Sequence, residues 1–191
     1  MPLPLPLKWK QSFYRLTMFF GRKKKVKSPS MNNAVTSIYS ISVDDIHGRQ
    51  TDLHQYKGKK LLIVNVASEC GYTPQYDDLE KLYSEYKDKL VVLGFPSNDF
   101  GGQEPGTNSE IEQFCRSKYS IDFPLFSKID VIGDTAHPLY KWLSNEKQNG
   151  WNNQPPTWNF WKYLIDENGN LINYFSQNVH PFDEAIINQL A

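Results

Sequence analysis

Cys70 lies where an apolar run ends and a helical pattern begins, a place in the chain where a thiol is readily ionised. Leu61-Leu62-Ile63-Val64-Asn65-Val66-Ala67 precedes it and Thr73-Pro74 follows. Thr73 suits an N-cap and Pro74 the first helical position. Amide N–H groups at a helix start favour negative charge, so the segment predicts a thiolate, the nucleophilic form of cysteine. The competing reading is a buried, inert side chain, the common fate of cysteine. The second cysteine, Cys115, falls in an amphipathic stretch with Ile111, Phe114 and Tyr119. Two cysteines are too few for a disulfide scaffold and show no zinc spacing. His47, His54, His137 and His180 are dispersed, so neither a metal site nor a bound cofactor is expected.

The elements that must position Cys70 follow from hydrophobic period. Ser37 to Val43 alternates as a half-buried strand does, His47-Gly48-Arg49 is a turn, and a second short segment follows. Residues 61–67 are almost wholly apolar, which predicts a central strand covered on both faces. Tyr76, Leu79, Leu82, Tyr83 and Tyr86 recur at helical spacing. Leu90 to Phe95 is another buried strand, and residues 96–106 form a loop whose Gly101-Gly102 pair is a tight turn rather than a phosphate cradle. Thr107 with Glu110 predicts a capping box. His137 to Leu143 reads as a helix. Tyr163–Ile165 and Leu171–Phe175 flank Glu167-Asn168-Gly169, a hairpin signal, and Pro181 to Leu190 is helical by pattern. This order predicts an α/β thioredoxin-like fold, a central mixed sheet flanked by helices.

The chain of 191 residues is read as one domain, 34–191, behind a basic extension, 1–33. Residues 1–30 carry eight Lys or Arg and no acid. The other 161 residues carry 13 basic and 21 acidic side chains, a net charge of −8, which argues against nucleic acid as a partner. The extension alternates Pro2, Pro4 and Pro6 with leucines, then an aromatic patch, then Arg22-Lys23-Lys24-Lys25. It reads as a disordered tail, or as sequence upstream of a later start at Met18 or Met31. A weak contact with an anionic membrane surface and an organellar targeting peptide are the alternatives. No apolar run approaches the ~18 residues of a membrane span, and the expected location is cytoplasmic.

Four blocks, in order, resemble the glutathione peroxidases: Asn65-Val66-Ala67-Ser68-x-Cys70-Gly71; Gly94-Phe95-Pro96-x-Asn98-x-Phe100-Gly101-Gly102-Gln103-Glu104-Pro105-Gly106; Phe123-Pro124-x-Phe126; and Trp158-Asn159-Phe160 with Lys162. The resemblance they carry covers roughly residues 36–190. The resemblance implies a peroxidatic Cys70 surrounded by Gln103, Trp158 and Asn159, whose amides and indole N–H stabilise the thiolate without adding a titrating base. It implies reduction of hydrogen peroxide and organic hydroperoxides, lipid hydroperoxides included, through Cys70 sulfenic acid. It implies a thioredoxin-type reductant in preference to glutathione. The alternative use of the same thiol is a peroxide sensor that relays oxidation to a partner protein.

Cys115 has two readings. It is a resolving cysteine, as the plant and yeast-like members place theirs in this helix, or a core-facing side chain. Measured back from Phe123-Pro124 it falls one position early, which turns a helical side chain by ~100°. Ser97 and Asp99 stand where many relatives have Cys and Gln. Glu69 replaces a lysine and would oppose the thiolate if it faced the sulfur. The short spacing from Lys128 to Trp158 resembles the compact members and favours a monomer with an open site.

Overall fold

The computed structural model describes residues 33–190. The readings of the basic extension fall on residues outside this range, apart from its last residue. A short hairpin, β1 (Ser42–Asp44) and β2 (Gln50–Asp52), leads into β3 (Lys60–Val66), α1 (Gln75–Tyr86), β4 (Leu90–Pro96) and α2 (Asn108–Tyr119). Then come α3 (Pro138–Leu143), α4 (Glu146–Asn149), β5 (Lys162–Ile165), β6 (Leu171–Phe175) and α5 (Glu184–Ile187). The central sheet has the order β4-β3-β5-β6. β3 and β4 run parallel, whereas β5 is antiparallel to both β3 and β6.

Strand alternation divides the core into two layers. Leu62, Val64, Val66 and Leu164 face α1, α2 and α5, meeting Tyr76, Leu79, Ile111 and Ile186. Leu61, Ile63, Tyr163 and Ile165 face the other way, onto Leu139, Tyr140, Trp142 and Leu143 of α3. Both faces are covered, which is why β3 is apolar at nearly every position.

The third sequence block closes the edge of the sheet. Gly94 donates to the Pro124 carbonyl and accepts from the Phe126 N–H, both at 3.0 Å. A Cβ on Gly94 would stand 2.9 Å from Leu125 Cδ2, so only glycine lets this segment lie so close to β4. Glu80 Oε2 of α1 accepts the Asp122 N–H at 2.7 Å and holds the same segment from the side.

The capping box at Thr107 and Glu110 is present as expected. Three expectations are corrected. The region from Ser37 to Val43 is not one strand: a 3-10 turn over Ile38–Ser40 comes first, because the Ser37 hydroxyl accepts the Tyr39 N–H and bends the chain, and the strand starts at Ser42. The C-terminal helix shrinks to Glu184–Ile187, capped by Asp183. Thr73 does not cap α1, which starts at Gln75 after Pro74 with no side-chain cap bond. Its hydroxyl is used elsewhere.

Candidate active site

β3 and β4 are parallel, so the loops that follow them emerge at the same edge of the sheet. Crevices in α/β folds form at such carboxyl ends. The Ser97 N–H donates to the Val66 carbonyl at 3.1 Å and keeps the two exits together.

The loop after β3 is knotted around Cys70. Thr73 Oγ1 donates to the Ala67 carbonyl at 2.8 Å and accepts the Cys70 N–H at 3.0 Å. The Thr73 N–H closes back on the Cys70 carbonyl at 3.0 Å. This use of its hydroxyl is why Thr73 leaves the helix start uncapped. Cys70 is 7% exposed. Its Sγ accepts the Tyr72 N–H at 3.4 Å. The donor to sulfur thus comes from the turn between β3 and α1, not from the helix itself. Glu69 is exposed while Cys70 is buried, so the two side chains part company.

The loop after β4 brings Gln103. Gly101 and Gly102 both take positive φ, +69° and +66°, and turn the chain there. The Glu69 N–H donates to the Gln103 carbonyl at 3.0 Å, tying this loop to the one that carries Cys70. Asp99, read earlier only as a departure from the family pattern, has a job: its Oδ2 accepts the Val131 and Ile132 N–H groups at 2.6 and 3.2 Å. Ser97 is fully buried, and its Oγ accepts the Asp99 N–H at 3.4 Å.

Trp158 and Asn159 come from the chain that enters β5. Asn159 is fully buried, and its Nδ2 donates to Gln103 Oε1 at 3.0 Å and to the Phe100 carbonyl at 3.4 Å. That bond uses the oxygen of the Gln103 amide and leaves its nitrogen as a donor. Asn159 Oδ1 is buried and accepts no hydrogen bond from the described residues. The Trp158 ring lies against Phe100, with centroids 5.8 Å apart. Gln103, Trp158 and Asn159 are thus brought to one cluster around the Phe100–Gln103 loop. Among the described residues, the hydrogen bond to Cys70 Sγ is the one from Tyr72.

Phe160 follows with φ +62°, although it has a Cβ and is fully buried. That backbone costs such a residue about 1–2 kcal/mol. Asn65 and Lys162 surround it, each fully buried. Sequence reasoning assigned neither residue a role. The signal was there: an amide within the apolar run of β3 and an amine beside the apolar residues of β5.

Ser68 and Glu104 form a further pair beside the cysteine. Ser68 Oγ donates to Glu104 Oε2 at 3.1 Å. Burial pushes the Glu104 carboxyl up to about 7, against the lowering effect of Ser68. A groove of about 420 Å³ opens over this pair, walled by Ser68, Glu69, Glu104, Ile111 and Phe114.

Cys115 lies on the inner face of α2, fully buried. Burial raises its thiol to about 11, an effect the Tyr76 hydroxyl beside it partly opposes. The Tyr76 hydroxyl has no oxygen or nitrogen partner among the described residues.

The fold defines the class of protein first. The crystal structure of Trgpx in its apo form superposes with a TM-score of 0.64 at 40% identity, covering 82% of this chain and 97% of that one. The architecture is thioredoxin-like α/β. Residues 38–144 match the family model described as glutathione peroxidase. A glutathione peroxidase homolog, BsaA, from Staphylococcus epidermidis is 50% identical over 146 residues, 76% of this chain and 92% of the relative. The glutathione peroxidase-like peroxiredoxin 2 of Saccharomyces cerevisiae is 46% identical over 147 residues, 76% and 91% of the two chains. The chain belongs to the glutathione peroxidase family, and its enzymatic class is that of a peroxidase.

Proposed function

We propose that this protein is a thiol peroxidase that reduces hydrogen peroxide and organic hydroperoxides, lipid hydroperoxides included, at Cys70. The observation that carries the reading is the hydrogen bond from the Tyr72 N–H to Cys70 Sγ, made at the carboxyl edge of the sheet beside the Gln103–Asn159 pair. A donor already aimed at sulfur stabilises the thiolate. The thiolate attacks one peroxide oxygen; an S–O bond forms and the O–O bond breaks. The departing oxygen takes a proton and leaves as water or an alcohol. Cys70 is left as the sulfenic acid, two electrons more oxidised. The Gln103 amide nitrogen and the Trp158 indole N–H are the groups that can meet charge on the departing oxygen.

Cys115 then resolves the sulfenic acid. Its sulfur attacks that of Cys70, an S–S bond forms and water leaves. A dithiol of the thioredoxin type reopens the disulfide and carries the oxidation away as its own disulfide. The presence of a second thiol and the peroxiredoxin name of the yeast relative both support a dithiol reductant. A disulfide requires α-carbons within ~7 Å, and Cys115 is locked in a capped helix, so α2 must unwind locally first. The cycle requires no bound cofactor. We place it in a monomer in the cytoplasm, where dithiol reductants are kept reduced.

Intact mass after one equivalent of peroxide tests the cycle. An internal disulfide lowers the mass by two hydrogens, whereas an unresolved sulfenic acid adds one oxygen. In Cys115→Ser the oxygen adduct should accumulate and thioredoxin-coupled turnover should be lost. Unchanged turnover in that variant removes Cys115 from the cycle, and unchanged turnover in Cys70→Ser removes the whole reading.

A further inference from the structure

The chain at Trp158–Phe160 must hold two side chains in place while its own backbone is bent into the left-handed region. Two buried polar residues grip it. All four polar groups of Asn65 are used on residues 158–161. Its backbone N–H donates to the Trp161 carbonyl at 3.3 Å, and its carbonyl accepts the Phe160 N–H at 2.6 Å. Its Nδ2 donates to the Trp158 carbonyl at 3.1 Å, and its Oδ1 accepts the Trp161 N–H at 3.1 Å. Lys162 Nζ donates to the Phe160 carbonyl at 2.8 Å. Strand alternation puts the Asn65 side chain with Leu61 and Ile63, and the Lys162 side chain with Leu164 and Val64, on opposite faces of the sheet.

We propose that Asn65 and Lys162 are positioning residues of the peroxide site: they clamp the Trp158–Phe160 turn from the two faces of the sheet and so fix where Trp158 and Asn159 stand relative to Gln103 and the Cys70 loop. The inference rests on the peroxidase reading of that site. Neither residue touches sulfur or peroxide. Their effect passes through Asn159 to Gln103, and from the Gln103 carbonyl to the Glu69 N–H beside Cys70.

A buried lysine is a costly way to build a β-strand. Lys162 forms no salt bridge among the described residues, and burial draws its amine down to about 7. A methionine of similar length would fill the same space without that cost. What the amine contributes that methionine cannot is the bond to the strained Phe160 carbonyl. Stability and activity should therefore move in different directions when it is removed, which a merely structural lysine would not produce.

The test compares Lys162→Met and Asn65→Asp with wild type and Cys70→Ser. Three quantities are read on the full chain: the melting temperature, the rate constant of Cys70 with hydrogen peroxide, and the alkylation rate of Cys70 by iodoacetamide. The NMR shift of the Trp158 indole N–H, assigned by its loss in Trp158→Phe, is read alongside. Lys162→Met should melt no lower than wild type and lose about 10²-fold in peroxide rate. Its alkylation should change less than about threefold, since alkylation needs the thiol but not the geometry around it. The indole signal should move. Asn65→Asp keeps the acceptor for Trp161 and loses the donor to Trp158; it should melt lower, because its carboxyl is buried, and show the same loss of peroxide rate, the same near-constant alkylation and a moved indole signal. If Asn65→Asp does not fold, Lys162→Met decides. A peroxide rate within twofold of wild type together with an unmoved indole signal overturns the clamp. If wild type consumes no more peroxide than Cys70→Ser, the peroxidase reading has failed instead, and the indole shift alone then decides whether the clamp exists.

Discussion

Cys70 and Cys115 belong to one apolar cluster, yet the backbone around each offers sulfur something different. Cys115 sits inside a capped twelve-residue helix, where the amides are committed to their own carbonyls. Its thiol meets only side chains, and burial drives it up to about 11. Cys70 sits in a turn before a helix, where amides are not yet committed, and the Tyr72 N–H reaches its sulfur. Burial alone therefore predicts little about a thiol. What matters is whether a backbone donor nearby lacks another partner.

The largest test of that contrast is differential labelling. At neutral pH a thiol raised to about 11 exists as thiolate in only about one molecule in 10⁴. Iodoacetamide should label Cys70 in the native protein at least about 10² times faster than Cys115, with equal labelling after denaturation. Peptide mass mapping over time measures both rates, and equal native rates would erase the distinction drawn between the two sites.

Gln103→Ala sharpens it next. This change removes the amide nitrogen and takes from the Asn159 Nδ2 one of its two acceptors, leaving the Phe100 carbonyl. Peroxide reduction should fall by about 10²–10³-fold, the usual loss when one donor to a developing anion is deleted. The iodoacetamide rate at Cys70 should fall far less. Stopped-flow kinetics with both reagents separates the two effects.

Tyr76→Phe tests the other cysteine. The hydroxyl lies beside Cys115 and has no oxygen or nitrogen partner among the described residues. Its removal should change stability by no more than about 1 kcal/mol, because the group lost is poorly satisfied. It should also slow disulfide formation after a peroxide pulse, since the hydroxyl that favours the Cys115 thiolate is gone. Chemical denaturation and quenched-flow mass analysis read these two outcomes.

Glu104→Gln has the smallest expected effect. The folded carboxyl holds its proton up to about pH 7, whereas an ordinary carboxyl releases it near 4.5. Between those values the native state binds the extra proton, so wild-type stability falls as pH rises. The contribution is complete below about 4.5 and lost as pH passes 7. Glutamine imitates the protonated acid toward Ser68 and should flatten that slope, changing the melting temperature by about 2–4 °C at pH 7. Melting curves across the pH range measure it.

Much of the arrangement was legible in residue pattern. A run of apolar residues ending just before a cysteine located β3 and the Cys70 loop, and Thr107 with Glu110 marked the start of α2, because capping and strand burial are local effects. Thr73 was misread for the same reason. Its type suits a cap, but the Ala67 carbonyl, six residues back, competed for its hydroxyl. The C-terminal helix was overestimated because a helical period does not reveal how few turns find a surface to cover.

The amino-acid order pointed to the family through four separated blocks, and, through neighbours within a few positions, to the sheet-and-helix order and to Cys70 as the cysteine to watch. It could not settle which way Cys115 faces, which oxygen the Asn159 amide meets, or why an asparagine and a lysine interrupt β3 and β5. Those answers needed residues 65, 103, 159 and 162 brought together across the sheet. Contacts between such distant residues are fixed by strand register and loop closure, and neither has a local signature in sequence.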